Sequence, residues 1–270
     1  MGFKISLAGD LGSGKSTVSK IIIEKTGILY YSTGTVCRAA AAEHGMTIDE
    51  FNRYMETHPE VDKMIDDNLA ALSYDERSYI IDSRMAFHFV KDTFRVYLTT
   101  DARVSAERIL GAKRDGESFD TVEETAARVA ARRESENLRY FEKYGVHIMD
   151  MQNYDLVLDT TAIPPETVAE KILYYLEIWQ ENPGARFCEL DYRRFMSREP
   201  MTEATVAAAR EKMENGVGFP FPTAYEKNGA YYVESGVEAI VAAHLMKCET
   251  VNCTLLAGTP EHPEEYAPLF

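Results

Sequence analysis

The stretch GDLGSGKST, residues 9–17, follows the apolar run FKISLA, residues 3–8. Gly9, Gly14, Lys15 and Ser16 satisfy G-x-x-x-x-G-K-[ST]. The run before them reads as a strand and the run after as a helix, which is the context this motif requires. Gly9, Gly12 and Gly14 let the backbone curl, so that the N–H groups around Ser13 and Thr17 meet phosphate oxygens at the positive end of the helix. In such a loop Lys15 reaches the β- and γ-phosphates and Ser16 is a ligand for Mg²⁺. The loop identifies a nucleoside triphosphate site and leaves the acceptor to be read elsewhere.

Around this loop, strand-like and helix-like segments alternate over about the first 180 residues. FKISLA, ILYYS, SYIID, FRVYLTT and YDLVLDT are short and rich in β-branched or aromatic residues, and each is followed by a helix or loop. The pattern predicts an α/β fold: a five-stranded parallel sheet with helices on both faces. Thr47 and Glu50 form a capping box, and Pro59 opens a helix with Val61, Met64, Ile65, Leu69 and Leu72 at three- and four-residue steps. A second capping box, Thr121 and Glu124, opens a long helix that Gly145 closes. Along it Arg128, Arg132 and Arg139 share one face, a stripe that Glu134, Glu136 and Glu142 can balance as an ordinary solvated surface. PPETVAEKILYYLEIWQ is the last helix of this domain, residues 1–181, and ENPGA, residues 181–185, reads as a linker.

Residues 186–270 form a second, small α+β module. It contains a helix near 202–214, a hairpin turning at Asn228-Gly229, a helix capped by Ser235, and a final strand TVNCTLLA. A chain ended near Asn182 is expected to keep the phosphate loop and all five strands and to bind ATP.

The formal charge of −15 argues against a nucleic-acid partner, because affinity for a polyanion comes mainly from Lys and Arg. A small anion in a locally basic pocket is compatible with it. The N-terminal apolar run is too short for a signal peptide, and no apolar stretch is long enough to span a membrane, so a cytoplasmic protein is expected. Cys37, Cys188, Cys248 and Cys253 are scattered without metal-ligand spacing and read as reduced thiols.

STGTVCR (residues 32–38), DSR (82–84) and RRESENLRYFEKYG (132–145), followed by YDLVLDT, occur here in that order. Together with the phosphate loop they resemble the cytidylate kinase-like branch of the P-loop nucleoside monophosphate kinases, over about residues 1–180. The resemblance implies ATP-dependent phosphorylation of a nucleoside monophosphate, CMP or dCMP first, with Mg²⁺. It implies that Ser32, Gly34 and Arg38 bind the acceptor, that Arg84 is Arg38's partner across the cleft, and that Arg108 lies near the phosphates. Arg132 matches the first arginine of the family's R-E-E-S-E segment and Arg139 the one before its tyrosine, so both would act with Lys15 on the transferred group. Asp82 resembles an acidic residue that holds magnesium with Ser16. Thr35 stands where many relatives have an acid, and Ser83 replaces a glycine, departures that bear on acceptor identity. The alternatives are a P-loop kinase of another small acceptor and a nucleotide-binding regulatory protein with little turnover. Arg38, Arg84 and Arg132 together favour the enzyme, since phosphoryl transfer between two anions needs cations on both.

The second module resembles the ParB and sulfiredoxin-like fold. Members of that group carry a histidine or cysteine and an arginine at the helix start, where this chain has Glu238 and Ala239. The resemblance therefore implies lost chemistry there, and the module's plain reading is packing against the first domain or homodimerisation. His244, on a helix of Ala, Val, Leu and Met, reads as structural.

Overall fold

The computed structural model describes residues 2–111 and 121–270. All five strands expected in the first domain are present: β1 (Lys4–Gly9), β2 (Leu29–Ser32), β3 (Tyr79–Asp82), β4 (Phe94–Thr99) and β5 (Leu156–Asp159). They pair in parallel in the order β5-β4-β1-β3-β2. The crossovers that parallel pairing demands are α1 (Lys15–Thr26), α2 (Thr33–Glu43), α3 (Ile48–Thr57), α4 (Pro59–Ala71), α5 (Ala86–Phe89), α6 (Ala102–Gly111), α7 (Val122–Tyr144) and α8 (Pro165–Glu181).

Beyond residue 185 lie β6 (Phe187–Leu190), β7 (Phe195–Ser197), α9 (Glu203–Glu214), β8 (Thr223–Lys227), β9 (Ala230–Ser235), α10 (Val237–Leu245), β10 (Val251–Asn252), β11 (Thr254–Leu255) and β12 (Ala267–Pro268). The first sheet has seven strands rather than five, because β6 joins β5 in parallel and β10 pairs antiparallel with β6. The physical reason lies in β5, whose four residues Leu156–Asp159 are all buried. As an edge it would present unpaired backbone groups and apolar side chains to water. The second sheet has the order β11-β8-β9-β7-β12.

Alternation along the strands divides the core. Ile5, Leu7, Phe94, Val96, Leu98, Leu156 and Leu158 pack on Val18 and Ile22 of α1 and on Val168, Ile172 and Leu176 of α8. Ala8, Tyr97 and Val157 instead meet Phe195, Ala224, Tyr231, Val233 and Ile240 of the second module. The two parts of the chain therefore share one hydrophobic core.

Local signals behave as their chemistry dictates, with three exceptions. Asn228 and Gly229 both take positive φ, 54° and 81°, the backbone that a two-residue hairpin requires. Thr47 and Glu50 cap α3 reciprocally, whereas at α7 only the Thr121 side chain accepts, from the Glu124 N–H. Ser235 does not cap α10: its hydroxyl lies 2.8 Å from that of Thr223 across the hairpin, and Gly236 holds the N-cap position. TVNCTLLA is not one strand, since β10 and β11 pair in different sheets on either side of Cys253. There the Cys253 and Cys188 sulfurs lie 3.4 Å apart as free thiols. No helix among the described residues is long and apolar enough to cross a membrane.

Candidate active site

The phosphate loop is set by backbone that only glycine tolerates. Gly9 has φ 150°, and a Cβ there would collide with the Leu98 carbonyl of the neighbouring strand. At Gly12, φ 72°, a Cβ would meet Ser105 Oγ at 2.7 Å. Ser105 in turn donates to the Leu11 carbonyl at 2.6 Å, and Ser13 Oγ to that of Asp10 at 2.8 Å. These bonds keep the loop curled ahead of α1.

Lys15 folds back over this loop, donating to the Gly9 and Asp10 carbonyls at 2.8 and 2.6 Å. Burial and the nearby Arg84 guanidinium push its ammonium down to about 7. Arg84 also donates to the Gly9 carbonyl, and its Nε lies 3.0 Å from Glu136 Oε2. Glu136 Oε1 accepts from Arg132 Nε at 2.9 Å. Burial pushes the Glu136 carboxyl up, but Arg84 and Arg132 overcome this and hold it below its ordinary value. Glu136 is thus a bridge inside the site, where the spacing had suggested a solvated surface partner.

Lys15, Arg84 and Arg132 open onto a cavity of about 1260 Å³. Its lining includes the loop, Arg108, Thr160 and Pro165, together with residues of α2, α3 and α4. Among the lining residues, Ser32 caps α2 by accepting from the Thr35 N–H at 3.3 Å. Thr35 Oγ1 accepts from Arg38 Nη2 at 3.2 Å, so the unexpected threonine steadies that arginine. Asp62 pairs with Lys143, and Asp66 accepts from the Tyr144 hydroxyl at 2.7 Å. Those two contacts tie α4 to the end of α7.

The expected site residues converge. Gly12, Ser13, Gly14, Lys15, Ser16, Thr17, Ser32, Gly34, Arg38, Asp82, Arg84, Arg108, Arg132 and Arg139 all line this cavity. Gly9 contributes the carbonyl that holds Lys15 and Arg84. Arg108 is committed largely to protein, donating to the Thr160 and Thr161 carbonyls at 2.7 and 3.2 Å and to that of Gly12 at 3.3 Å. Arg128 is exposed and is not among the lining residues, so the stripe divides along the helix. Ser83 faces the cavity and accepts from the Met85 N–H at 3.2 Å. Among the described residues no group of three or more His, Cys, Asp or Glu is arranged to hold a metal. The Ser16 hydroxyl and the Asp82 carboxylate, hard oxygens on the cavity wall, nevertheless suit magnesium, which takes one or two protein oxygens and completes its shell with water and phosphate.

A family model described as "AAA domain" matches residues 5–150, more than half of the chain. The cytidylate kinase of Archaeoglobus fulgidus is 35% identical over 176 residues, which are 65% of this chain and 95% of that protein. The cytidylate kinase of Methanobrevibacter smithii is 32% identical over 64% of this chain and 98% of its own length. The chain belongs to the cytidylate kinase-like family of P-loop nucleoside monophosphate kinases. Among solved structures, shikimate kinase from Acinetobacter baumannii in complex with shikimate aligns over 68% of this kinase and 96% of that chain, at 18% identity and TM-score 0.46.

Three charged residues of this kinase's interior were not legible as such. Asp10, just after the first loop glycine, is buried and accepts from the Tyr97 hydroxyl at 2.7 Å, Thr99 Oγ1 at 3.0 Å and the Thr100 N–H at 3.2 Å. Arg133 Nε lies 3.4 Å from Asp10 Oδ1. Arg194, from the second module, reaches Asp159 Oδ2 at the end of β5 at 2.7 Å. The available signal was at Arg133: RRESE departs from the family's R-E-E-S-E by an arginine in place of a glutamate. Nothing in the sequence pointed to Arg194.

Proposed function

We propose that this kinase transfers the γ-phosphoryl group of ATP to CMP or dCMP, giving the diphosphate by direct in-line displacement. One observation carries the reading: Lys15, Arg84, Arg132 and Arg38 line a single cavity together with the phosphate loop. Phosphoryl transfer is mainly a matter of positioning and of neutralising charge spread over the transferred group, and cations on both anions supply that. In this reading Lys15 acts on the β- and γ-phosphates, Arg38 grips the acceptor phosphate, and Arg84, Arg132 and Arg139 screen the charge between them. Ser16 and Asp82 would hold a magnesium ion, which supplies further neutralisation of phosphate charge.

Two supports favour cytidine. The curated relatives reported above carry the name cytidylate kinase. In addition, Asp62 and Asp66, besides holding Lys143 and Tyr144, line the same cavity, and an ionised carboxylate only accepts hydrogen bonds. It suits the exocyclic amine of cytosine and opposes the oxo group that uracil has in its place.

The test is a coupled ADP-release assay with wild-type protein over CMP, dCMP, UMP, AMP and GMP. The expected result is that a cytidine monophosphate exceeds every purine monophosphate by at least about tenfold in kcat/KM, roughly 1.4 kcal/mol in transition-state binding. Equal rates with AMP and CMP would exclude the cytidine assignment. ATP binding without turnover on any acceptor would favour a regulatory protein instead.

A further inference from the structure

We propose that the β8–β9 hairpin of the second module is a positioning element of the kinase site, holding helix α7 against the phosphate loop through Glu226, Gly229 and Arg133. This rests on the reading of the cavity as a phosphoryl-transfer site. Arg132 and Arg133 are consecutive on a helix, so their side chains leave it about 100° apart. Arg132 opens onto the cavity, while Arg133 turns to the second module.

There its Nη2 lies 3.5 Å from Glu226 Oε1 on β8, and its Nε lies 3.4 Å from Asp10 beside the first loop glycine. Glu226 Oε1 is fixed by the Gly229 N–H at 2.8 Å, inside the hairpin turn itself. A Cβ on Gly229 would come within 3.7 Å of Arg133 and 3.5 Å of Arg194, so the turn fits closely against both guanidiniums. Arg194 donates to the Gly229 carbonyl at 2.6 Å and also reaches Asp159 and Thr99, anchoring the hairpin to the ends of β5 and β4.

The charges form one chain. Asp10, Arg133 and Glu226 alternate in sign from the loop, through the helix, to the hairpin, and their side chains are 8%, 21% and 15% exposed. Burial alone pushes the Asp10 carboxyl up, yet Arg133, Tyr97 and Thr100 hold it below its ordinary value. Desolvated pairs of this kind are unforgiving, because removing one partner leaves the other buried without compensation. Here the partner removed with the hairpin is that of the helix presenting Arg132, Glu136, Arg139 and Tyr140 to the cavity. A shift of about 1 Å at such groups is enough to slow a reaction about a hundredfold.

The test uses full-length Glu226→Met and Glu226→Gln, with Arg133→Met and the double variant Arg133→Met/Glu226→Met completing a cycle. Glu226→Gln keeps an oxygen for the Gly229 N–H and removes only the charge, so it serves if the methionine variant does not fold. Hydrogen–deuterium exchange of ligand-free protein is read across residues 122–144, independently of turnover. The expected result is faster exchange there in each variant, a fall in kcat of at least fivefold with the KM for ATP within about twofold, and a double variant no slower than the slower single one. Unchanged exchange would overturn the proposal. So would wild-type kcat in a variant that only melts earlier, since that marks a purely structural pair, and so would additive losses in the cycle. Wild-type protein that turns over no monophosphate would defeat the parent reading instead, and the exchange result would still decide whether the hairpin holds the helix.

Discussion

Proton uptake on nucleotide binding probes the phosphate loop directly. The Lys15 ammonium is pushed down to about 7 by burial and by Arg84, so at pH 8 about nine tenths of the ligand-free molecules carry a neutral amine there. A bound triphosphate places negative charge beside that nitrogen and returns it towards its ordinary 10.5. Binding ATP without an acceptor should therefore take up about 0.9 proton at Lys15 at pH 8 and only about 0.1 at pH 6, and affinity should fall about tenfold per pH unit above 7. Calorimetric titration in two buffers of different ionisation enthalpy counts these protons. The same titration of Lys15→Met removes the contribution of the nucleotide and of every other group. The sign for folding follows from the same shift: between about 7 and 10.5 the unfolded lysine binds a proton that the folded one lacks, so Lys15 makes stability rise with pH through that window. Equal proton counts for wild type and Lys15→Met at pH 8 would refute this reasoning.

Arg38→Ala should raise the KM for the monophosphate about tenfold or more, whereas Arg132→Ala should lower kcat with a smaller change in KM, as steady-state kinetics on both will reveal. The fragment 1–182 loses β6 together with Phe195, Ala224, Tyr231, Val233 and Ile240, which cover Ala8, Tyr97 and Val157. Each fully buried large side chain contributes about 1.5–3 kcal/mol, so this loss is comparable to a whole net stability of about 5–15 kcal/mol. Against the ATP binding that the sequence led us to expect of a chain ended near Asn182, the fragment should show no cooperative melt; a soluble, cooperatively folding one would contradict the shared core. Asp155 is almost fully buried and accepts from the Arg95 backbone N–H, Nε and Nη2 at 2.9, 3.0 and 2.6 Å. Asp155→Ala should cost about 1–3 kcal/mol in chemical denaturation and leave the KM for ATP unchanged.

The parts legible in the sequence are those whose physics is local. Gly9, Gly12 and Gly14 announce the loop because the required backbone admits almost nothing else, and Asn228-Gly229 announces the hairpin for the same reason. Strands and caps follow from periodicity and from side chains that bond within three residues. The seventh strand and the shared core were not legible, because β10 has only two residues and pairs with a segment some sixty positions earlier. Cys188 and Cys253 were hidden likewise, at a separation of 65 residues. Inside the site, the resemblance supplied Arg38, Arg84 and Arg132. Glu136 was masked because an i,i+4 partner of Arg132 reads equally well as a surface pair. Arg194 acts across the interface between the two sheets, where only the tertiary fold defines a neighbour.

The most direct measurement follows the label from [γ-³²P]ATP in a reaction with CMP, wild-type protein and magnesium, with products separated by chromatography. Transfer within a cavity lined by the phosphate loop, Lys15, Arg38, Arg84 and Arg132 predicts that the label appears in CDP, with Lys15→Ala reducing this by orders of magnitude. Label released chiefly as inorganic phosphate, at a rate indifferent to CMP, would contradict phosphoryl transfer to a nucleotide.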